Sequence, residues 1–257
     1  MTEKEILEIA LRQSAIDCGC EPEDFLRHEP VVVRSRADER ARKYLPLPFE
    51  CDLVSYGNNV VAQVSERLRA PVEHFLRTYP VSHCFETPHL HVLEELLRPF
   101  GLRVCFQAEY FLPEPDLLHP LPSPYPTRLL TPPAFDALYT PEWSNALCKD
   151  RRQLDLLAVG AYDGETLIGL AGASADCEQM WQIGVDVLPA YRRRGVASAL
   201  VSRLACEILA RGIVPFYCAA WCNLPSVRNA IRCGFRPAWV ELTAREASLV
   251  ERLNAAN

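Results

Sequence analysis

A cluster of prolines near the middle of the chain limits what its 257 residues can fold into. Eight of the 21 prolines lie between Pro113 and Pro133. Proline fixes φ and has no backbone N–H, so this stretch is incompatible with a helix or with an inner strand of a sheet. The prolines therefore predict a semi-rigid, extended connector. We place a domain boundary near Pro122–Pro126, which divides the chain into residues 1–122 and 127–257.

The composition is typical of a globular protein. Hydrophobic residues make up 49% of the chain and charged residues 23%, and the mean hydropathy is −0.04, which excludes a disordered or collagen-like chain. No apolar run approaches the roughly 18 residues that cross a bilayer. The polar start, Met1–Glu5, has no apolar segment behind it, so we expect no secretory signal. These features predict a cytoplasmic protein with no membrane partner.

Charge is distributed unevenly along the chain. Residues 1–126 carry 13 Lys and Arg against 20 Asp and Glu, and residues 127–257 carry 14 against 13. Neither half is polybasic, which argues against nucleic acid as a partner. The acidic balance of the first half suits a cationic, amine-bearing acceptor.

Cysteine and histidine provide candidate metal ligands, but their spacing is unusual. The chain has eleven cysteines, an odd number, and no Cys-x-x-Cys pair, which predicts reduced thiols rather than disulfides. His83, Cys84, His89 and His91 lie close together in sequence, at spacings that fit no usual zinc pattern. We therefore expect no metal, and surface or helix-capping roles for these histidines.

Hydrophobic periodicity predicts alternating helices and strands in both halves. The first half is predicted to contain a helix at Glu5–Ile16, strands at Val31–Val33, Asp52–Tyr56 and Val60–Val64, helices at Val72–Thr78 and Leu90–Arg98, and a strand at Arg103–Phe111. The second half is predicted to contain strands at Leu156–Tyr162, Thr166–Ala173 and Trp181–Val187, a helix at Val196–Ala210, a strand at Ile213–Ala220, a helix at Pro225–Cys233 and a strand at Pro237–Thr243.

The segment Val187–Ala197 joins a predicted strand to a predicted helix. The first turn of a helix has unpaired N–H groups and the positive end of the helix dipole, so it suits an anion. Gly195 and Ala197 have little or no side chain, which lets a diphosphate approach the backbone. Arg192–Arg194 add positive charge, and Ser198 offers a hydroxyl. A solvated basic loop is the structural alternative.

With this strand, loop and helix, residues 127–257 resemble the GNAT superfamily of N-acetyltransferases. A second similar element is Asn223-Leu224-Pro225-Ser226, followed by Gly234-Phe235. The resemblance implies acetyl-CoA as co-substrate, with its diphosphate on the loop and its pantetheine arm along the preceding strand. The residues that it assigns to the cofactor are Val185, Val187, Arg192, Arg193, Arg194, Gly195, Val196, Ala197, Ser198, Asn223 and Ser226.

The resemblance also implies the fold class. We expect an α/β (α+β) protein with a GNAT-like mixed, mostly antiparallel sheet flanked by helices, in which two central strands splay apart around the cofactor. A smaller α/β domain precedes it. That domain ends with a helix, Phe100-Gly101 and a strand, which is similar to the ending around Gly234-Phe235. It is therefore either a degenerate GNAT-like half or an unrelated cap that shapes the acceptor site or a homodimer contact.

The reaction that the resemblance implies is direct transfer of an acetyl group to a primary amine. This needs a neutral nucleophile, a stabilised oxyanion and a proton for the departing sulfur. A strand amide near Val185 is the candidate for the oxyanion. All six histidines lie in the first half, which leaves carboxylates, or a water-relayed path, for the base. The candidate bases are Asp186, which we favour, and then Glu178, Asp176 and Glu241; a hydrogen-bonded strand residue is the alternative role for Asp186.

One position departs from the family pattern. Ala230 occupies the place where the family often has a tyrosine that protonates the departing thiolate, so another group or water must act there. This departure leaves open a non-catalytic acyl-CoA-binding or sensing module. Cys218 and Cys222 raise a further alternative, a covalent acyl-enzyme. The sequence does not specify the acceptor, which is a small molecule or a protein.

Overall fold

The computed structural model describes residues 1–255. The helices are α1 (Glu3–Cys18), α2 (Arg69–Thr78), α3 (Thr87–Leu97), α4 (Val196–Leu209), α5 (Leu224–Arg232) and α6 (Ala247–Ala255). The strands are β1 (Val31–Arg34), β2 (Cys51–Ser55), β3 (Val61–Val64), β4 (Leu102–Pro113), β5 (Thr127–Leu130), β6 (Asp155–Asp163), β7 (Thr166–Ser174), β8 (Met180–Val187), β9 (Val214–Ala220) and β10 (Phe235–Glu246). The predicted elements are all present, with ends that differ by a few residues, whereas β5, α6 and several short 3-10 turns were not predicted.

The described residues form two compact units. Unit 1 contains Met1–Ile9 and Tyr110–Pro237, and unit 2 contains Ala10–Glu109 and the residues from Ala238 onward. These limits differ from the predicted division at 122–127. The proline-rich stretch lies within unit 1, and the end of the chain lies in unit 2 because β10 pairs there with β2 in antiparallel register. Separate roles for residues 1–122 and 127–257 remain a prediction.

Unit 1 is built on the strand order β9-β8-β7-β6-β5, in which only the β8–β9 pair is parallel. The β6–β7 hairpin turns at Asp163-Gly164, as the sequence predicts. One face of α4 is buried against the sheet through side chains that recur every fourth residue: Val196, Leu200, Leu204 and Ile208. The short strand β5 follows Pro126 and pairs with β6 on one side, a position that a proline-flanked strand can occupy.

Unit 2 has the strand order β1-β3-β2-β10. β2 and β3 form the predicted antiparallel hairpin, and β1 runs parallel to β3. Apolar side chains of α2 and α3, including Phe75 and Leu93, are buried with those of the strands. Both units therefore confirm a mixed α/β fold with mostly antiparallel strand pairing, flanked by helices.

The eleven cysteines are free thiols in the structure. No helix within residues 1–255 combines the length and the apolar character that crossing a membrane requires.

Candidate functional site

Strands β8 and β9 start as a parallel pair and then separate. Their register runs from Met180 opposite Val214 to Ile183 opposite Tyr217. β8 continues to Val187 and β9 to Ala220, and over these last residues no further register partners join the two strands in the part of the chain that the structure describes. The strand ends 184–187 and 218–220 therefore border an opening in the sheet of unit 1.

Pairing with β7 determines which backbone groups of β8 face this opening. The Leu188 N–H donates to a β7 carbonyl at 3.0 Å, and Asp186 lies opposite β7 two residues earlier. Because hydrogen bonding alternates along an antiparallel pair, the backbone N–H and C=O of Val185 and Val187 point away from β7. The Val187 carbonyl accepts a hydrogen bond from Arg192 Nε at 2.9 Å. Val185 therefore offers both backbone groups, and Val187 offers its N–H.

Helix α4 begins beside the end of β8 with free amide groups. Gly195 is its N-cap residue, with φ 85° and ψ −1°, in the left-handed region that favours glycine. Ala199 is the first residue whose N–H donates within the helix, to the Gly195 carbonyl at 3.0 Å. Among residues 1–255, no side chain caps the N–H groups of Val196, Ala197 or Ser198. These three donors are available to an anion.

Three exposed arginines, Arg192–Arg194, directly precede this helix start, and two of them contact other residues. Arg192 binds the end of β8, as described above. Arg194 Nη1 donates to the hydroxyl of Tyr125 at 2.9 Å, and its guanidinium lies 5.5 Å from the ring centre of Tyr191. Arg193 has φ 61°, which is uncommon for a residue other than glycine. The loop is thus fixed at both ends, and its positive charge lies at the edge of the helix start.

Helix α5 brings further predicted cofactor residues to the end of β9. Asn223 caps this helix through its Oδ1, which accepts from the Ser226 N–H at 3.3 Å. The Ser226 and Tyr217 hydroxyls lie 2.8 Å apart. Ser198 Oγ donates its hydrogen bond to Asn229 Oδ1 at 2.9 Å, so this hydroxyl is not available as a donor to a ligand. The backbone N–H of Ser198 is free. The predicted cofactor residues therefore lie around the opening between β8 and β9.

Tyr217 was not among the predicted site residues. It lies at the last paired position of β9, where the two strands begin to separate, and its side chain is buried. Burial raises the pKa of its hydroxyl, and hydrogen bonds to Ser226 and Asn229 partly oppose that shift. Ala230 is also fully buried. The contact between Tyr217 and α5 is tertiary, so no local sequence pattern reveals it.

The side chain of Asp186 binds a loop over the sheet. Its Oδ2 accepts from the Asn145 and Ala146 backbone N–H groups at 2.8 and 3.0 Å, and its Oδ1 accepts from Asn145 Nδ2 at 2.6 Å. Gly172 and Gly184 face each other beneath this loop. A Cβ on Gly184 would lie 1.7 Å from the Asn145 carbonyl oxygen, and one on Gly172 would lie 2.0 Å from that of Ala146. The loop backbone thus rests directly on β7 and β8.

The other candidate bases lie elsewhere. Asp176 is fully buried and pairs with Arg151 at 3.5 Å, Glu178 is an exposed residue before β8, and Glu241 belongs to unit 2. Of the two cysteines considered, Cys218 is half-buried and accepts a hydrogen bond from Gln182, and Cys222 is exposed.

Comparison with known proteins agrees with this geometry. Residues 119–235 match the model of the acetyltransferase (GNAT) family. This segment is a GNAT acetyltransferase domain. The predicted family is therefore confirmed for residues 119–235, and membership of this segment in that family supports an acyl-CoA-dependent N-acetyltransferase. No curated protein sequence matches the chain.

Several solved structures are similar to the chain. A GCN5-related N-acetyltransferase from Kribbella flavida is 16% identical, with a TM-score of 0.48, over 62% of this chain and 66% of that one. A GCN5-related N-acetyltransferase-like protein from Streptococcus suis is 22% identical, with a TM-score of 0.44, over 62% and 69%. The aminoglycoside N-acetyltransferase AAC(6')-Iy in complex with CoA is 21% identical, with a TM-score of 0.36, over 47% and 93%. The chain spans about two thirds of the length of the first two proteins.

Proposed function

We propose that the chain transfers an acetyl group from acetyl-CoA directly to a primary amine of a small-molecule or protein acceptor. One observation carries this proposal: the N–H groups of Val196, Ala197 and Ser198 are free at the start of α4, beside the opening between β8 and β9. A diphosphate carries the charge and the acceptor oxygens that such a helix start binds. The GNAT domain at residues 119–235 supports acetyl-CoA as its source.

We assign the cofactor to the residues around this opening. The pantetheine arm, which carries amide groups, is proposed to pair with the free carbonyl of Val185 and the N–H of Val187, which leaves the Val185 N–H for the acetyl group. The diphosphate is proposed to bind the amides at the start of α4, with Arg192, Arg193 and Arg194 at its edge. Asn223 and Ser226, at the start of α5, are proposed to contact the arm on the β9 side.

Acetyl-CoA supplies a thioester; the amine nitrogen forms the new C–N bond, the C–S bond breaks, and one proton passes from the nitrogen to the sulfur overall. A β8 amide, that of Val185, is proposed to stabilise the oxyanion. The linked hydroxyls of Ser226 and Tyr217 are proposed to deliver the proton to sulfur, which Ala230 cannot supply. We propose that Asp186 positions the Asn145–Ala146 backbone, because its oxygens already accept three N–H bonds, and that water carries the amine proton away.

Turnover with a panel of amines tests this function. Release of the CoA thiol is followed with amino acids, polyamines, aminoglycosides and a peptide N-terminus as acceptors, and the acetylated product is identified by mass. Amine-dependent thiol release with a stable N-acetyl product is expected. Saturable CoA binding without turnover on any amine would instead favour the non-catalytic acyl-CoA-binding module. The observation that supports this module is Ala230, whose side chain cannot donate a proton.

Direct transfer has its own test. The chain is incubated with acetyl-CoA and no acceptor, and its mass is measured over time. We expect no stable acetylation of the protein, whereas a lasting acetyl adduct on Cys218 or Cys222 would replace direct transfer by a covalent route.

We also propose a cytoplasmic location, which the free state of the eleven thiols supports. A homodimer and the absence of nucleic-acid and membrane partners remain proposals of the same kind. The solution mass measured by light scattering tests the homodimer, and the mass of a monomer would contradict it.

A further inference from the structure

A group of three side chains in unit 2 forms a candidate metal site, which differs from the His83, Cys84, His89 and His91 set that the sequence spacing argued against. His83, Glu86 and His89 each offer a ligand atom, and these atoms lie within 4.8 Å of one another. Glu86 Oε2 is 3.9 Å from His83 Nε2 and 3.9 Å from His89 Nδ1. A single carboxylate oxygen therefore lies within the same distance of two imidazole nitrogens.

The backbone brings these three residues together. The Glu86 N–H donates to the His83 carbonyl at 3.1 Å, and the His89 N–H donates to the Glu86 carbonyl at 3.0 Å. Two consecutive turns of three residues thus place the side chains on one side of the junction between the 3-10 turn Val81–Phe85 and α3. Pro88, in the first turn of α3, has a fixed φ that stabilises this helix start.

His89 has an unexplained buried nitrogen. Its Nδ1 is shielded from solvent and has no hydrogen-bond partner, although the side chain as a whole is 21% exposed. Buried polar atoms in proteins are almost always bonded to a partner, and an ion is one of the few explanations for an exception. The Tyr79 ring packs against this imidazole at 4.5 Å and the His83 ring at 4.7 Å, measured between ring centres.

The neighbouring residues that the sequence grouped with these histidines do not belong to the site. Cys84 is buried, and its Sγ lies 3.7 Å from the Tyr79 carbonyl. Burial raises the pKa of this thiol to about 11, and its Sγ is not one of the ligand atoms that lie together. His91 is exposed on α3 and outside the group. The third candidate ligand in the structure is Glu86, a residue type that the usual cysteine–histidine zinc patterns do not include.

We propose that His83 Nε2, Glu86 and His89 Nδ1 bind a zinc ion. Two imidazoles and one carboxylate, completed by water, form one of the tetrahedral ligand sets that Zn²⁺ uses, with bonds of about 2.0–2.2 Å. Such bonds place ligand atoms about 3.4 Å apart. Each His–Glu pair therefore closes by about half an ångström, and the two imidazole nitrogens, which lie within 4.8 Å of each other, close by up to about 1.4 Å. The imidazole rings, now 13° from parallel, must tilt toward the ion, and the broad χ2 preference of histidine permits this. The ion would link the Val81–Phe85 turn to the start of α3.

Zinc titration of the purified full-length chain tests the proposal. Cys222 is changed to Ser in every sample, because this exposed thiol would bind zinc by itself. Calorimetry is expected to give one zinc equivalent with micromolar or tighter affinity, together with a raised melting temperature, and no heat with Mg²⁺, which prefers oxygen ligands. Co²⁺ in place of zinc is expected to give d–d absorption bands without a thiolate charge-transfer band.

Matched glutamine variants locate the binding. His89→Gln and His83→Gln should each weaken zinc affinity at least tenfold, and Glu86→Gln should also weaken it, whereas His91→Gln, an exposed histidine on the same helix, should leave affinity unchanged. His83 is 43% exposed, so its variant is expected to fold even where His89→Gln does not. Absence of zinc binding in the parent chain, or equal loss in His91→Gln and His83→Gln, would overturn the site.

Discussion

The prediction that most sharply separates the cofactor loop from an ordinary helix start concerns Gly195. Its φ of 85° is in the left-handed region, and a Cβ there would meet no atom within 4 Å. Gly212, which follows the other end of α4, has φ 77° and equally open surroundings. Changing either to alanine should lower the free energy of unfolding by about 1 kcal/mol, since both place an L-residue in the same region.

The two variants should differ in CoA binding. In Gly195→Ala the strain at this φ acts on the backbone that presents the neighbouring amides, and the new methyl group lies beside them. Loss of one charge-assisted hydrogen bond to the diphosphate is worth about 1.5–3 kcal/mol, or a roughly ten- to hundredfold higher Kd. Gly212→Ala should keep the parent Kd.

Calorimetry with CoA measures these affinities, and urea unfolding measures the stabilities. The comparison is informative because both variants should lose the same free energy of unfolding. A difference in Kd for CoA then reflects where the glycine lies on α4 and not a loss of stability. Equal CoA affinity in the parent chain, Gly195→Ala and Gly212→Ala would refute the assignment of the diphosphate to the start of α4.

Three further predictions concern side chains. Asp186→Asn should lower the free energy of unfolding by about 1.5–3 kcal/mol, because one charge-assisted hydrogen bond to the Asn145 side chain is lost. Urea unfolding measures this change. Disappearance of the acidic limb of the pH profile of kcat/KM in this variant would instead make Asp186 the base. Burial raises the pKa of Asp155 from 3.8 to about 6, so the free energy of unfolding should fall as pH rises from about 4 to about 6, because the unfolded carboxyl loses its proton first. Asp155→Asn should remove this fall in urea unfolding at pH 4 and pH 7, and an unaltered slope would contradict it. Tyr217→Phe should lower kcat about a hundredfold with an unchanged Kd for CoA, and an unchanged kcat would assign the proton on sulfur to solvent.

The start of α4 could be predicted because its signals are local. A strand, a glycine and small residues at a helix start follow one another along eleven residues, and the four-residue repeat that begins at Val196 predicts the buried face of the helix. The β6–β7 hairpin is similar, since Asp163-Gly164 is itself the turn. Chemistry that depends on adjacent residues is therefore readable from sequence.

Contacts between distant residues could not be predicted in this way. Asp186 and Asn145 are 41 positions apart, and nothing near either residue indicates that a loop would rest on the glycines of β7 and β8. The limits of the compact units differ from the predicted division for the same reason, because the pairing of β10 with β2 joins the end of the chain to its first half. Helix α6, which follows the last predicted strand, was not predicted.

The amide signals of Val196, Ala197 and Ser198 provide the most direct test of the account. In a ¹⁵N-labelled chain, titration with CoA should shift these three resonances to saturation, with the Kd that calorimetry gives, and pantetheine, which lacks the diphosphate, should leave them in place. If CoA binds while these amides do not move, or if pantetheine moves them equally, the diphosphate is not held by the start of α4.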